Sequence, residues 1–355
     1  MRCFWDWMPI IGMVAASVGF ATVNILIKKA IDVGINHLVL ITYRHCIAAT
    51  FLTPIAYFRE KKTRTKITAA VFWQIFLCAL LGATLSQYFF FIGMQHTTAT
   101  FSCAFLNIAP VVTFVVALPF GLEALNMKST AGKAKVLGMI ASAAGAMVLT
   151  FYKGVALTST SHQGPSTAHA APPESMIDHH HQTVKWTLGS LALFAGCFCW
   201  STWFVVQSKV SKNYPSVYSG TAITFFLVIL QSASLCFVTQ RDTSLWVLKG
   251  KLELVTVTYA GLVGSGLGFL IMSWCVKQRG PVFTSSFCPL IQIFVAVIEY
   301  AFLDEQLHLG SVLGSVIVIV GLYFLLWGKS REVKVPEIKE GQGNSREDGP
   351  RMEQM

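Results

Sequence analysis

Charge is scarce in this 355-residue chain: Asp, Glu, Lys and Arg together make up 12%, about half the share of a soluble domain. Acidic residues are the scarcer sign, 17 against 27 Lys and Arg. Nine cysteines are present, yet no Cys-x-x-Cys pair offers a metal or redox site, and no Asn-x-Ser/Thr sequon marks a glycosylated loop. No phosphate-binding loop is complete: Gly328-Lys329-Ser330 matches its end, but Tyr323 stands where the first glycine belongs. That excludes ATP drive within the chain. No nucleophile–base pairing, metal-ligand set or haem motif stands out, so the sequence supports no enzyme and calls for no cofactor or metal. The net charge of +10 does not imply nucleic-acid binding, because no polar segment is long enough to form a folded basic domain.

What the chain has in abundance is apolar length. Hydrophobic residues reach 54%, and runs of about twenty recur, each able to cross a hydrocarbon core roughly 30 Å thick. Ten spans are predicted, over residues 9–27, 38–58, 69–93, 99–120, 136–152, 186–207, 217–238, 252–276, 282–302 and 309–327. They must be helices, since lipid offers no partner to unpaired backbone groups. The fold class is therefore an all-α polytopic membrane protein, with the bilayer as its first partner.

The spans also repeat. FSCAFLN (101–107) and Glu123 recur as FTSSFCP (283–289) and Glu305, at one offset of 182 residues. KVLG (135–138) then falls on SVLG (311–314), Gly145 on Gly321 and Lys153 on Lys329, at an offset of 176. The expected organisation is a first five-span repeat over 9–152, a flexible linker over 153–185, a second repeat over 186–327 and a disordered tail over 328–355. Five spans are an odd number, so the second copy enters the membrane upside down, the inverted-repeat plan of secondary transporters. With both termini in the cytosol, inside segments hold nineteen Lys and Arg against seven outside, which sets the orientation. The linker, rich in Ser, Thr, His and Pro, is then non-cytosolic. Its His179-His180-His181 run, with His162 and His169, lacks the fixed spacing of a metal site.

Glycines within the spans read as packing faces: GSGLG (264–268) lies inside span eight with no strand before it, and Gly310 and Gly314 follow the same small-xxx-small spacing. Polar residues at membrane depth carry more information. Arg44 is the sharpest case, because an ionised side chain at helix centre costs at least about 3 kcal/mol. It is either a counter-ion for a substrate carboxylate or a structural partner near the surface. Asn24, Gln87, Asn107, Gln231 and Gln292 could hydrogen-bond a zwitterion or bridge helices. Trp200 and Trp203 are cavity candidates, whereas Trp5, Trp7, Trp186 and Trp327 suit the interface. Pro110 and Pro289 would free carbonyls or kink their helices. Glu299 is the carboxyl placed for proton coupling, and Glu123 and Glu305 are repeat-equivalent acids with a structural role.

The stretches TTATFSCAFLNIAPVVTFVVAL (97–118), AKVLGMIASAAGAMVLTFYKG (134–154), GPVFTSSFCPL (280–290) and LHLGSVLGSVIVIVGLYFLLWGKS (307–330) resemble the plant Walls Are Thin-related proteins. These are nodulin-like, EamA-type members of the drug/metabolite transporter superfamily. The likeness spans about residues 9–331. Where the family pattern usually carries a basic residue before the span-four glutamate, this chain has Gly121. The resemblance implies a ten-helix facilitator that moves amino acids or related small organic acids, with auxin or another organic anion as the alternative cargo. A plasma-membrane location is expected ahead of the tonoplast. From a different class, a membrane sensor or scaffold with a vestigial repeat would share the pattern.

Overall fold

The computed structural model describes residues 2–61, 66–97, 99–123, 128–152, 176–239, 246, 250–302 and 308–332. Ten helices follow in order: α1 Arg2–Asp32, α2 His37–Glu60, α3 Ala69–His96, α4 Ala99–Ala117, α5 Thr130–Phe151, α6 Met176–Asn213, α7 Val217–Thr239, α8 Lys251–Arg279, α9 Pro281–Phe302 and α10 Leu309–Glu332. Nine are long and apolar enough to cross a bilayer, and α4, with its apolar stretch Phe105–Ala117, completes the ten. The helices start where polar side chains satisfy the first free N–H groups. Asn36 Oδ1 accepts from Leu38 N at 2.9 Å, Ser129 Oγ from Gly132 N at 3.0 Å, and Thr68 Oγ1 from Val71 N at 3.4 Å. An even number of spans puts both chain ends on one side, here the terminal face; the other is the far face.

Packing follows a pseudo-two-fold plan. Helices α2, α4 and α5 each pack on their own repeat counterparts α7, α9 and α10. The pair α3–α6 is mirrored by α8–α1, and α4–α6 by α9–α1. The tightest pair is α5–α10. A Cβ on Gly138 would lie 2.5 Å from both Gly321 O and Leu325 N, and one on Gly145 2.7 Å from Val318 N. These small residues let the two backbones touch. Gly264 packs on Val23 and Gly268 on Phe20, both of α1, while Gly310 and Gly314 meet Tyr152 and Leu149 of α5.

Two irregularities recur at equivalent places. Helix α3 widens to a π-helical turn over Leu80–Leu85, and α8 does so over Ala260–Gly268. At the offset of 182, residues 80–85 fall on 262–267, so each repeat carries the same widened segment. Such segments mark functional positions in helices. Gly82 sits under the Trp203 indole of α6, its counterpart Gly264 under Val23 of α1. Trp203 is 2% exposed and anchors a cluster with Trp200, Phe204, Phe225 and Phe269.

The expected linker over 153–185 is too long at its second end. Helix α6 already begins at Met176, because residues 176–185 hold neither Gly nor Pro to stop it. Residues 328–332, expected to open the tail, are helical instead: Gly328 lies inside α10, seated against Ala131 O and Lys135, and residues 333–355 fall outside the described residues. His162, His169, Lys153 and Glu305 fall outside the described residues.

Candidate functional site

Asn107 and Gln292, from the equivalent helices α4 and α9, meet directly. Asn107 Nδ2 donates to Gln292 Oε1 at 2.6 Å, and Gln292 Nε2 donates to Thr150 Oγ1 of α5 at 2.9 Å. Thr150 passes its own proton to Ala146 O at 2.7 Å, so the chain of bonds is closed. Around it α4 stays helical through Pro110, whereas α9 breaks into Pro281–Ser285 and Cys288–Phe302 just before Pro289. The break is stabilised locally: Thr284, Ser285 and Ser286 turn their hydroxyls back onto Gly280, Val282 and Phe283 carbonyls.

A second pair of candidates is committed to the fold. Gln231 of α7 accepts from Thr84 Oγ1 at 2.9 Å and donates to Phe76 O at 3.4 Å. Thr84 lies within the widened turn of α3 and Phe76 just before it, so Gln231 bridges helices there. Trp200 stacks on Trp203, centroids 5.0 Å apart and nearly parallel, with one part of its surface open.

Arg44 and Gln87 differ from all of these. Each has a buried polar atom without any hydrogen-bond partner, Arg44 Nε and Gln87 Oε1. Arg44 forms no ion pair among the described residues. Its depth follows from helix geometry. His37, at the far-face start of α2, stacks on Phe91 of α3 at 4.1 Å. Arg44 lies seven residues, about 10 Å, inward along α2, and Gln87 four residues, about 6 Å, inward along α3. Next to Arg44, His45 is fully buried; its Nδ1 donates to Ile41 O at 2.6 Å, which leaves Nε2 a bare acceptor without a partner. A buried polar group without a partner costs about 1–3 kcal/mol, more when charged, so this concentration requires an explanation.

Asn24 completes the set. It shares a helix face with Phe20, which meets Gly268 of α8, and with Lys28, which pairs with Glu299 of α9. That face turns toward α8 and α9, and Asn24 on it is exposed. Glu299 sits three residues from the end of α9, 3.6 Å from Lys28 Nζ, with its side chain 21% exposed. A separate groove of about 400 Å³, lined by Cys46, Ile47, Thr50, Phe51 and Leu262, flanks the widened turn of α8 and is almost wholly apolar.

Sequence reasoning missed one cluster. Glu123, just beyond α4, is nearly buried and holds two lysines at once: Lys135 of α5 at 3.0 Å, and Lys329 of α10 in a shorter contact. Lys135 is fully buried and lies over the Phe114 ring. Lys135 had counted only as a charge on the terminal side; its place in the repeat, opposite Ser311, gave no hint of burial. Glu60 is another surprise: its carboxylate accepts from Tyr218 N at 3.0 Å and Ser219 N at 2.8 Å, capping α7 from the end of α2. Among the described residues no group of His, Cys, Asp or Glu is placed to hold a metal ion.

Comparison with known proteins adds the family. The model of the EamA-like transporter family matches twice, over residues 7–151 and 187–327. A WAT1-related protein of Arabidopsis thaliana is 45% identical over 334 residues, covering 94% of this chain and 90% of its own length. A second Arabidopsis thaliana WAT1-related protein is 43% identical over 336 residues, covering 94% and 89%. Among solved structures, one crystal structure has a TM-score of 0.66 over 89% of this chain and 96% of its own, at 13% identity. That likeness concerns the fold alone.

Proposed function

Because the chain belongs to the EamA-like transporter family, matched by both of its halves, we propose that this multi-pass membrane transporter carries amino acids or related small carboxylates, with Arg44 as their counter-ion. The observation that carries the reading is the buried, partnerless Nε of Arg44; Gln87 Oε1 on α3 is likewise buried and partnerless. A guanidinium binds a carboxylate through two parallel hydrogen bonds. An amide oxygen such as that of Gln87 suits the ammonium group of a zwitterion, and Asn24 is a further neutral candidate. Auxin is the second reading. It has one carboxylate for Arg44, and the open part of Trp200 in its aromatic cluster favours a flat ring. Movement between the faces follows alternating access, one repeat rocking against the other.

The excess of Lys and Arg in the terminal-face segments supports cytosolic termini, and a plasma-membrane site is proposed ahead of the tonoplast. The test is uptake and efflux of labelled amino acids and auxin in proteoliposomes. Arg44→Gln is expected to abolish carboxylate transport while the protein still inserts. Arg44→Lys is expected to keep part of it, since an ammonium cannot make the forked contact. Normal transport by Arg44→Gln would end the counter-ion reading.

A further inference from the structure

The two polar clusters on α4 share a design. Along α5, Thr150 and Lys135 are fifteen residues apart, about 22 Å at 1.5 Å per residue. Each grips α4 or its end: Asn107 toward the far face, Glu123 toward the terminal face. Each also reaches the second repeat, through Gln292 of α9 in one case and Lys329 of α10 in the other. The α5–α10 pair to which both attach is locked by glycine contacts between backbones, so it is the rigid frame. Helix α4 is the element that both clusters tie to this frame. Gly280, at the α8–α9 corner with φ of +88°, lies beside the ionic cluster; a Cβ there would be 3.7 Å from Lys329 Nζ and 3.8 Å from Glu123 Oε1. A corner between two spans thus adjoins the contact that would have to open.

Resting on the transport reading above, we infer that these clusters are the two gates of the carrier. Asn107–Gln292–Thr150 is a neutral clasp on the far side, and Glu123–Lys135–Lys329 an ionic clasp on the terminal side. Both sets of contacts are formed in this structure. Alternating access then needs one clasp to release while the other holds. The neutral clasp exchanges amide bonds of modest net strength. The ionic one holds a fully buried lysine, and charge-assisted bonds are roughly twice as strong. Glu123 is accordingly a positioning residue for transport: it acts through the two lysines and not on the cargo.

The test needs no knowledge of the cargo. Thr113 lies on α4 between the clasps, is fully buried, and its hydroxyl has no partner, so Thr113→Cys removes no hydrogen bond. Vesicles of one orientation receive a membrane-impermeant maleimide from one face or the other, and labelling at residue 113 is read by mass spectrometry. Glu123→Gln is expected to raise labelling from the terminal face about tenfold, the low end of what one lost charge-assisted bond shifts, with the far face unchanged. Gln292→Ala is expected to do the reverse. If Glu123→Gln fails to fold, Lys329→Gln carries the same expectation, because it leaves the Glu123–Lys135 pair in place. Equal increases from both faces would show general loosening and overturn the gate assignment, as would no increase from either. Lack of amino-acid transport with intact one-sided labelling would overturn the cargo alone.

Discussion

The backbone-to-backbone seam between α5 and α10 offers a sharp test of the packing. Gly138→Ala places a methyl group 2.5 Å from Gly321 O, 2.5 Å from Leu325 N and 3.0 Å from Phe324 C. Ordinary van der Waals contact begins near 3.4 Å, so the deficit is about 1 Å against two atoms at once. Neither side can yield by changing a rotamer, since a Cβ is fixed to its backbone and the obstacles are backbone too. The helices must part, and α5 and α10 then lose contact along the whole run from Gly328 to Gly314. Overpacking of this kind costs about 1–3 kcal/mol, and the upper end applies because nothing flexible intervenes. The better helix propensity of alanine returns up to about 1 kcal/mol, which leaves a net loss of about 2 kcal/mol. Unfolding by sodium dodecyl sulfate titration, followed by tryptophan fluorescence, measures it. Gly220→Ala is the control: its nearest neighbour is Tyr214 at 3.5 Å, so propensity alone acts and stability holds or rises. Equal stability of Gly138→Ala and the control would refute the close contact of the two backbones.

Glu60→Gln is expected to weaken the α2–α7 junction by about 1–2 kcal/mol, because the carboxylate caps two N–H groups at a positive helix end; hydrogen exchange at Tyr218 and Ser219 reports it, and unchanged protection would refute it. Glu299→Gln is expected to abolish the pH dependence of accumulation and spare downhill flux, with little effect on stability, since its partner Lys28 is 63% exposed and such pairs contribute less than about 1 kcal/mol. A Glu299→Gln carrier with unaltered pH dependence would remove the coupling role.

Much of the candidate site was legible as residue type and depth. Asn107 and Gln292 stood out because amides are costly in lipid, and the structure joins them directly and adds Thr150, a residue with no such signal. Arg44 was legible for the same reason, and its partnerless Nε is the property that only coordinates could supply. Gln231 had the identical signal and turns out to brace the widened turn of α3. Depth in the membrane identifies a polar residue as constrained, but not by what.

The architecture itself was written in the chain. Apolar runs of span length force helices, because lipid leaves backbone groups no other partner, and an odd number of spans per repeat forces inversion. The spacing of Gly310 and Gly314 announced a packing face on α10, since small residues are what let backbones touch; its partner α5 was shown by the structure. Two things were decided by tertiary structure alone. One is the widened turns of α3 and α8, whose glycines at 82 and 264 matter only because Trp203 and Val23 press on them. The other is the Glu123–Lys135–Lys329 cluster, drawn from three segments up to 206 residues apart. A lysine near a span end is ordinarily a solvated charge. Burial of Lys135 follows from a carboxylate shared with Lys329 and from the packing of α10 over α5 at Gly328, and neither is encoded within reach of Lys135 along the chain.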